Sequence, residues 1–203
     1  MELIQPSSST LLSILIGLGL SASCGFRIFV PPFIISLAAM GGHLELSESF
    51  AWLNTWPAVI ALGSAVVLEV GAYYVPILDH FLDTVAGPAA VVAGSVVSAS
   101  MFTDMSPLMT WSLALIAGGG IAGAIHVAMA FIRGGSTLVT GGLGNPLVAT
   151  AELGGAVGTS VMALVMPGLA LVIVLVVAGV GIRYWRLKAN PSAQTSGEVL
   201  EHS

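Results

Sequence analysis

Long apolar runs, separated by short polar or proline-containing segments, dominate the chain from residue 11 to residue 185. A helix that crosses a bilayer needs about 20 predominantly apolar residues, and six segments approach or exceed that length. They are residues 11–39, 57–75, 85–102, 107–132, 146–166 and 167–185. The pattern predicts an all-α integral membrane protein with about six transmembrane helices in a single transmembrane domain, residues 1–188, followed by a disordered tail, residues 189–203.

The composition agrees with a protein whose main solvent is lipid. Of 203 residues, 56% are hydrophobic and only 7% are charged, whereas soluble domains carry about 25% charged residues. The formal net charge of −5 and the few basic residues argue against a nucleic-acid partner. A single cysteine, Cys24, excludes an internal disulfide and a multi-cysteine metal site. No hydrolase or metalloprotease motif is present, so we expect neither an enzyme nor a bound cofactor or metal.

The few basic residues predict an orientation. Arg133 follows the fourth predicted span, and Arg183, Arg186 and Lys188 follow the sixth. Because positive charges favour the cytoplasmic side, both of these ends are predicted to face the cytoplasm, and an even number of spans then places the N-terminus there as well. We expect a multi-pass protein of the inner membrane, with the first apolar segment retained.

The two halves of the chain resemble each other weakly. Residues 19–27 align with residues 118–126 at a constant offset of 99, and each half then reaches a proline-initiated helix that carries a glutamate. Repeats over residues 11–102 and 107–187, with three spans each, would be inverted relative to one another, as in many secondary transporters. Chance alignment of glycine-rich segments is the alternative, because the spacing from proline to glutamate is 12 residues in one half and 6 in the other.

Small residues recur every four positions in four of the predicted spans. Such stripes let helix backbones approach closely in lipid. They are Gly17, Ser21 and Gly25; Ala90, Gly94 and Ser98; Gly119 and Gly123; Gly154 and Gly158. The stripes predict either a compact bundle within one chain or contacts with a second copy or another membrane protein, and the sequence does not separate these two arrangements.

Four titratable residues lie inside predicted spans, where each costs at least about 2.5 kcal/mol unless it is paired or hydrated. Counting 1.5 Å per residue places Glu69, His126 and Glu152 at a similar depth in the inner half of the membrane. Arg27 falls nearer the outer half, unless the break or kink expected at the following Pro31-Pro32 pair reshapes its helix. Arg27 could hold an anion, or it could pair with a carboxylate or with backbone carbonyls freed by the prolines.

The segment from Arg133 to Pro146 contains five glycines and directly precedes the Glu152 helix. It is predicted to be either a flexible cytoplasmic loop or a loop that folds back into the bundle and presents backbone N–H groups to an anion. Asn145, at its end, is therefore included among the candidate polar residues of a transport site. The segment lacks the lysine of a phosphate loop, which argues against nucleotide binding.

Several short motifs occur in a characteristic order. They are Cys24-Gly-Phe-Arg27 with its following prolines, Trp56-Pro57, Glu69 leading to Pro76-Ile-Leu-Asp79-His80, the Gly118-Gly-Gly run with His126, and Asn145-Pro146 leading to Glu152. Together they resemble the bacterial membrane family catalogued as domain of unknown function 4126, over about residues 11–166. The resemblance implies a small integral membrane protein and no particular activity. Family members often carry Asp-Lys after the first glutamate, where this chain has Tyr73-Tyr74.

Two hypotheses about function follow. In the first, the chain is a small transporter or channel for a polar solute, coupled to protons through Glu69 and Glu152, with His126 and Arg27 in the same pathway. In the second, it is a non-catalytic accessory subunit whose small-residue faces dock onto other membrane helices. Charged side chains that meet around a hydrated space would favour transport, whereas paired charges in a dry bundle would favour the subunit.

Overall fold

The computed structural model describes residues 8–74, 76–103 and 105–170, together with positions 172, 176, 179 and 183. These residues form an all-helical fold. In chain order the elements are α1 (Ser8–Cys24), α2 (Val30–Met40), a 3-10 helix (Glu48–Leu53), α3 (Trp56–Tyr73), α4 (Pro76–Met101), α5 (Pro107–Leu113), a π-helical segment (Ala114–Gly119), α6 (Gly120–Thr140) and α7 (Asn145–Val165). The C-terminal tail and most of the sixth predicted span lie outside the described residues.

Three of the described helices are long and apolar enough to cross a membrane. They are Trp56–Tyr73, Asn145–Val165 and the continuous 34-residue helix Pro107–Thr140, which joins α5, the π-helical segment and α6. Three further apolar helices, Thr10–Cys24, Val30–Met40 and Val85–Met101, are shorter. The structure thus agrees with the predicted helical membrane protein.

The first predicted span contains two helices. α1 ends at Cys24 and α2 begins at Val30, so residues 25–29 separate them. Pro31 lies in the first turn of α2, where its missing N–H would have no acceptor within the helix. The break predicted at the proline pair is confirmed, and the prolines begin a new helix beyond it.

The first predicted span also folds back, which corrects its assignment as a single crossing. The Ser98 hydroxyl near the C-terminal end of α4 donates to the Gly17 carbonyl in α1 at 3.2 Å. The break at residues 25–29 then reaches Ala122 and Ile125 in the first turns of α6. Beyond α2, Ser47 N–H donates to the Ser100 carbonyl at 2.9 Å, so the chain has returned to the same end of α4.

The small-residue stripes of α4 and α6 form a tight antiparallel contact. A Cβ atom built on Gly94 would lie 2.5 Å from the Ala122 Cβ, and Gly118 lies directly against Ser98, one turn farther along α4. Such contacts leave no room for larger side chains, which explains these stripes without a partner protein. In contrast, no described residue lies within 4 Å of a Cβ built on Gly154 or Gly158 in α7.

The glycine-rich segment after Arg133 is mostly helical, which corrects its assignment as a loop. α6 continues to Thr140, and only a short turn separates it from α7. Gly141 and Gly142 in that turn have φ angles of 61° and 90°, which favour glycine. Helix formation by the preceding glycines satisfies their backbone groups, which lipid cannot do. Arg133 consequently lies within α6, and its side chain is buried.

Candidate functional site: a buried charge network at the helix break

Glu69 of α3 binds the exposed backbone at the start of α2. Its two carboxylate oxygens accept hydrogen bonds from the Ile28 and Phe29 N–H groups at 2.7 and 3.1 Å. Donors that precede a helix have no partner within it, and a carboxylate is favourable at this positive end. Glu69, with 7% of its surface exposed, therefore closes the break by a contact between α3 and α2.

Arg27 projects from the same break and is 1% exposed. Its Nη2 atom donates to the Ala149 carbonyl of α7 at 2.8 Å and lies 3.5 Å from Glu152 Oε2. The guanidinium carbon lies 3.9 Å from the centre of the Tyr73 ring, a cation–π distance. Among the residues that the structure describes, Arg27 Nε and Nη1 find no hydrogen-bond acceptor. The guanidinium is thus only partly satisfied.

Glu152 is shared by two arginines. Besides its contact with Arg27, each of its carboxylate oxygens lies 2.6 Å from Arg133 Nη2. Arg133 also approaches the Tyr73 ring, with its guanidinium carbon 4.7 Å from the ring centre. The side chains of Glu152 and Arg133 are 1% and 5% exposed. Tyr73 and Glu152 therefore connect the break, α3, α6 and α7.

We call the five residues Arg27, Glu69, Tyr73, Arg133 and Glu152 the charge network. With both carboxylates ionised, its two positive and two negative charges sum to zero. Charge balance limits the cost of placing ions in a low-dielectric interior, although removal of one partner leaves an uncompensated charge. The network contains donors and acceptors from parts of the chain more than 100 residues apart.

His126 lies at the edge of the charge network. Its ring contacts the backbone of Gly25 and is within electrostatic range of Glu152. It also packs beside Gly87 of α4, where a Cβ would be 3.6 Å from the ring. His126 is 8% exposed, so it is buried beside the break. It forms no hydrogen bond or ion pair with Glu69 or Glu152.

Two sequence-based placements need correction. Arg27, expected nearer the outer half of the membrane, lies with Glu69 and Glu152, and of its proposed roles the pairing with a carboxylate and a carbonyl is observed. Asn145 lies outside the charge network, where its side chain bonds to Thr137 at 3.1 Å across the turn between α6 and α7. In the described part of the chain, no group of three or more His, Cys, Asp or Glu residues could hold a metal ion.

Sequence reasoning missed two members of the charge network. Tyr73 carried no signal beyond its position four residues after Glu69, one helical turn along the same face. Arg133 was assigned to a loop because of the glycines that follow it. Its distance from the turn was informative: Arg133 precedes Thr140 by seven residues and Glu152 follows Asn145 by seven, so two antiparallel helices would place them at one level.

These features define an all-helical membrane protein with a buried ion-pair network at a helix break. The chain belongs to the family described as a domain of unknown function, DUF4126, which matches residues 14–187. The resemblance seen in the motifs is thereby confirmed. Comparisons with curated proteins and with solved structures give no match.

Proposed function

We propose that the chain is a small multi-pass transporter of the inner membrane that moves a small polar solute coupled to protons. The observation that carries this proposal is the meeting of Arg27, Glu69 and Glu152 at a break between two helices. Secondary transporters commonly place their binding sites at discontinuous helices, where unwound backbone supplies extra polar groups. Ionisable residues at membrane depth are costly, which favours a functional role.

The charge network also suggests how protons and solute would be coupled. Protonation of Glu152 removes the charge that holds Arg27 and Arg133 together. The two guanidinium groups would then be available to a polar solute, with the unused Arg27 donors nearest to the break. Loss of the proton would restore the ion pairs and expel the solute. Binding of solute and binding of a proton would thus depend on one another.

The proposal includes an inverted repeat over residues 11–102 and 107–187, but not six single crossings with both termini in the cytoplasm, because α1 and α2 fold back. The support for the repeat comes from the positions of two residues. Arg27 and His126 occupy equivalent positions in the alignment at offset 99, and His126 contacts Gly25 beside the break. Equivalent residues of two inverted repeats are expected to meet near the middle of the membrane.

Flux measurements on purified protein in lipid vesicles test the transport proposal. Vesicles loaded with a pH-sensitive dye would receive an inward gradient of potassium succinate, potassium phosphate, ethanolammonium chloride or mannitol, one at a time. We expect at least one solute to change the internal pH faster than in protein-free vesicles. Glu152→Gln and Glu69→Gln should each slow this change by about tenfold or more, since each removes a proton acceptor from the pathway.

The matched control is Glu45→Gln, which makes the same chemical change at an exposed residue and should keep the wild-type rate. All variants would be compared at equal amounts of folded, reconstituted protein. If wild-type and protein-free vesicles behave alike with all four solutes, or if both network variants retain the full rate, the transport proposal is wrong.

A second candidate function, an accessory or self-associating subunit, is favoured by the outer face of α7. Gly154 and Gly158 are exposed, four residues apart, and no residue in the described part of the chain lies where a Cβ would be added. This is the pattern through which membrane helices dimerise at close range.

Gly154→Leu should therefore shift the protein in detergent from dimer to monomer, as measured by light scattering. The isolated exposed glycine of α3, in the variant Gly71→Leu, is the control. A wild-type protein that is already monomeric in both detergent and nanodiscs contradicts self-association.

A further inference from the structure

Arg27 carries donor groups that no described residue accepts. Its Nε and Nη1 atoms have no hydrogen-bond acceptor within the described part of the chain, although the side chain is 1% exposed. Its Nη2 atom has partners, the Ala149 carbonyl at 2.8 Å and Glu152 Oε2 at 3.5 Å, and the second distance is longer than an ordinary hydrogen bond. Because a buried charged donor without an acceptor is costly, Arg27 indicates a ligand with acceptor atoms.

The acceptors near Arg27 are already in use. Both oxygens of Glu69 accept backbone N–H groups at the start of α2, and the Ala149 carbonyl accepts from Arg27. Glu152 bonds to Arg133 through both of its oxygens. A cation entering this site would meet two guanidinium groups and acceptors that are already bonded, whereas an anion would meet donors that lack acceptors. The arrangement therefore favours an anion.

The charge of the network sets the charge of its ligand. With both glutamates ionised the charge network sums to zero, and uptake of one proton by Glu152 changes the sum to one positive charge. A ligand with one negative charge restores neutrality. A dianion, an uncharged molecule or a cation would leave a net charge in a low-dielectric interior, which is unfavourable. The network is thus suited to one proton and one monovalent anion together.

Tyr73 would keep the two arginines in place when Glu152 leaves them. Its ring centre lies 3.9 Å from the Arg27 guanidinium carbon and 4.7 Å from that of Arg133, and Tyr73 is 5% exposed. The cation–π attraction of a guanidinium to this ring does not require the carboxylate. The two guanidinium groups can therefore stay close together and bind the oxygens of a single anion.

We propose that the charge network binds a small oxyanion with one negative charge, which replaces the Glu152 carboxylate between Arg27 and Arg133, and that this anion is the transported solute. The displaced carboxylate takes up one proton from solution, so that the total charge of the site is the same before and after binding. This inference rests on the proposed transport function and names the class of its solute.

Three probes of the same planar shape separate the effect of charge from that of fit. Nitrate, urea and guanidinium carry one negative charge, no charge and one positive charge, and none of them exchanges a proton near neutral pH. The purified protein in detergent would be titrated with each probe in a calorimeter, at concentrations too low for denaturation. We expect saturable binding of nitrate, with urea and guanidinium binding at least about tenfold more weakly.

Proton uptake tests the exchange with Glu152 directly. In weakly buffered solution, nitrate should cause uptake of about one proton per chain at a pH where Glu152 is ionised. Nitrate affinity should then fall by up to about tenfold for each unit of rising pH, because each anion binds with one proton. The charged and titratable groups that face Glu152 are Arg27, Arg133, Tyr73, Glu69 and His126.

Variants identify the group that takes up the proton. Glu152→Gln should bind nitrate without proton uptake and without this pH dependence, at least as tightly as the wild type at neutral pH. Arg27→Gln should weaken nitrate binding by about tenfold or more. The matched controls, Glu45→Gln and Arg183→Gln, change exposed residues and should behave as wild type. A larger rise in melting temperature with nitrate for Glu152→Gln than for wild type provides a second measurement for this variant.

The outcomes separate this inference from the transport proposal. Nitrate binding with proton uptake supports the anion site even when none of the four polar solutes is transported. Flux of mannitol or ethanolammonium through a protein that binds nitrate no better than urea supports transport and overturns the anion site. Nitrate binding without proton uptake by the wild type, or pH dependence that persists in Glu152→Gln, overturns the exchange with Glu152.

Discussion

Replacing Glu152 with glutamine should lower the free energy of unfolding by about 3–5 kcal/mol, the usual cost of removing one partner from a buried ion pair. The effect is expected to be large because this carboxylate compensates two buried arginines. Arg133 contacts both of its oxygens at 2.6 Å, and Arg27 lies 3.5 Å away. Reversible unfolding in mixed detergent micelles, followed by circular dichroism, would measure the loss.

A double-mutant cycle tests whether the loss comes from the pair. Arg133→Gln combined with Glu152→Gln should cost less than the sum of the single changes by about 1–3 kcal/mol, because the second change removes a charge that the first left alone. Glu45→Gln, at an exposed position, should stay within about 0.5 kcal/mol of wild type. Strict additivity of the two network variants would show that the ion pair contributes nothing.

Glu69→Ala should destabilise the protein by about 2–5 kcal/mol, since it leaves two partly buried donors, Ile28 N–H and Phe29 N–H, without an acceptor. Glu69→Gln retains one acceptor oxygen and should lose about half as much. Amide hydrogen exchange is the site-specific measurement. The two amides at the break should exchange faster in the alanine variant, while those in the middle of α6 should change less.

The control for this series is Glu48→Gln, which removes a carboxylate from the exposed 3-10 helix. It should leave both stability and exchange at the break unchanged. Wild-type exchange of the Ile28 and Phe29 amides in Glu69→Ala would contradict the role of Glu69 as the acceptor that closes the break.

The first apolar segment shows how far local patterns lead. Its 29 residues are long enough for one membrane crossing, and the proline pair indicates a break. No local feature specifies the direction that the chain takes afterwards. That direction depends on contacts with distant residues, including Ser47 N–H with the Ser100 carbonyl and Glu69 with the break.

At the glycine-rich end of α6, the local pattern led to a wrong prediction. Glycine disfavours helix by roughly 1 kcal/mol relative to alanine, so the run after Arg133 favoured a loop. In lipid, unsatisfied backbone groups cost several kcal/mol each, which outweighs that preference and extends the helix to Thr140. Because this helix was predicted to end before Arg133, the sequence did not identify Arg133 as the closest partner of Glu152.

The amino-acid sequence by itself determined the solvent, the helical class, the break before the prolines and the presence of costly charges at membrane depth. These properties follow from apolar run length and residue chemistry, which act locally. Only the tertiary structure decided that α1 and α2 fold back, that Arg27 joins Glu152, and that Glu69 binds the break. Each of these depends on side chains from separate helices, and burial forces such groups to find partners that adjacent residues do not supply.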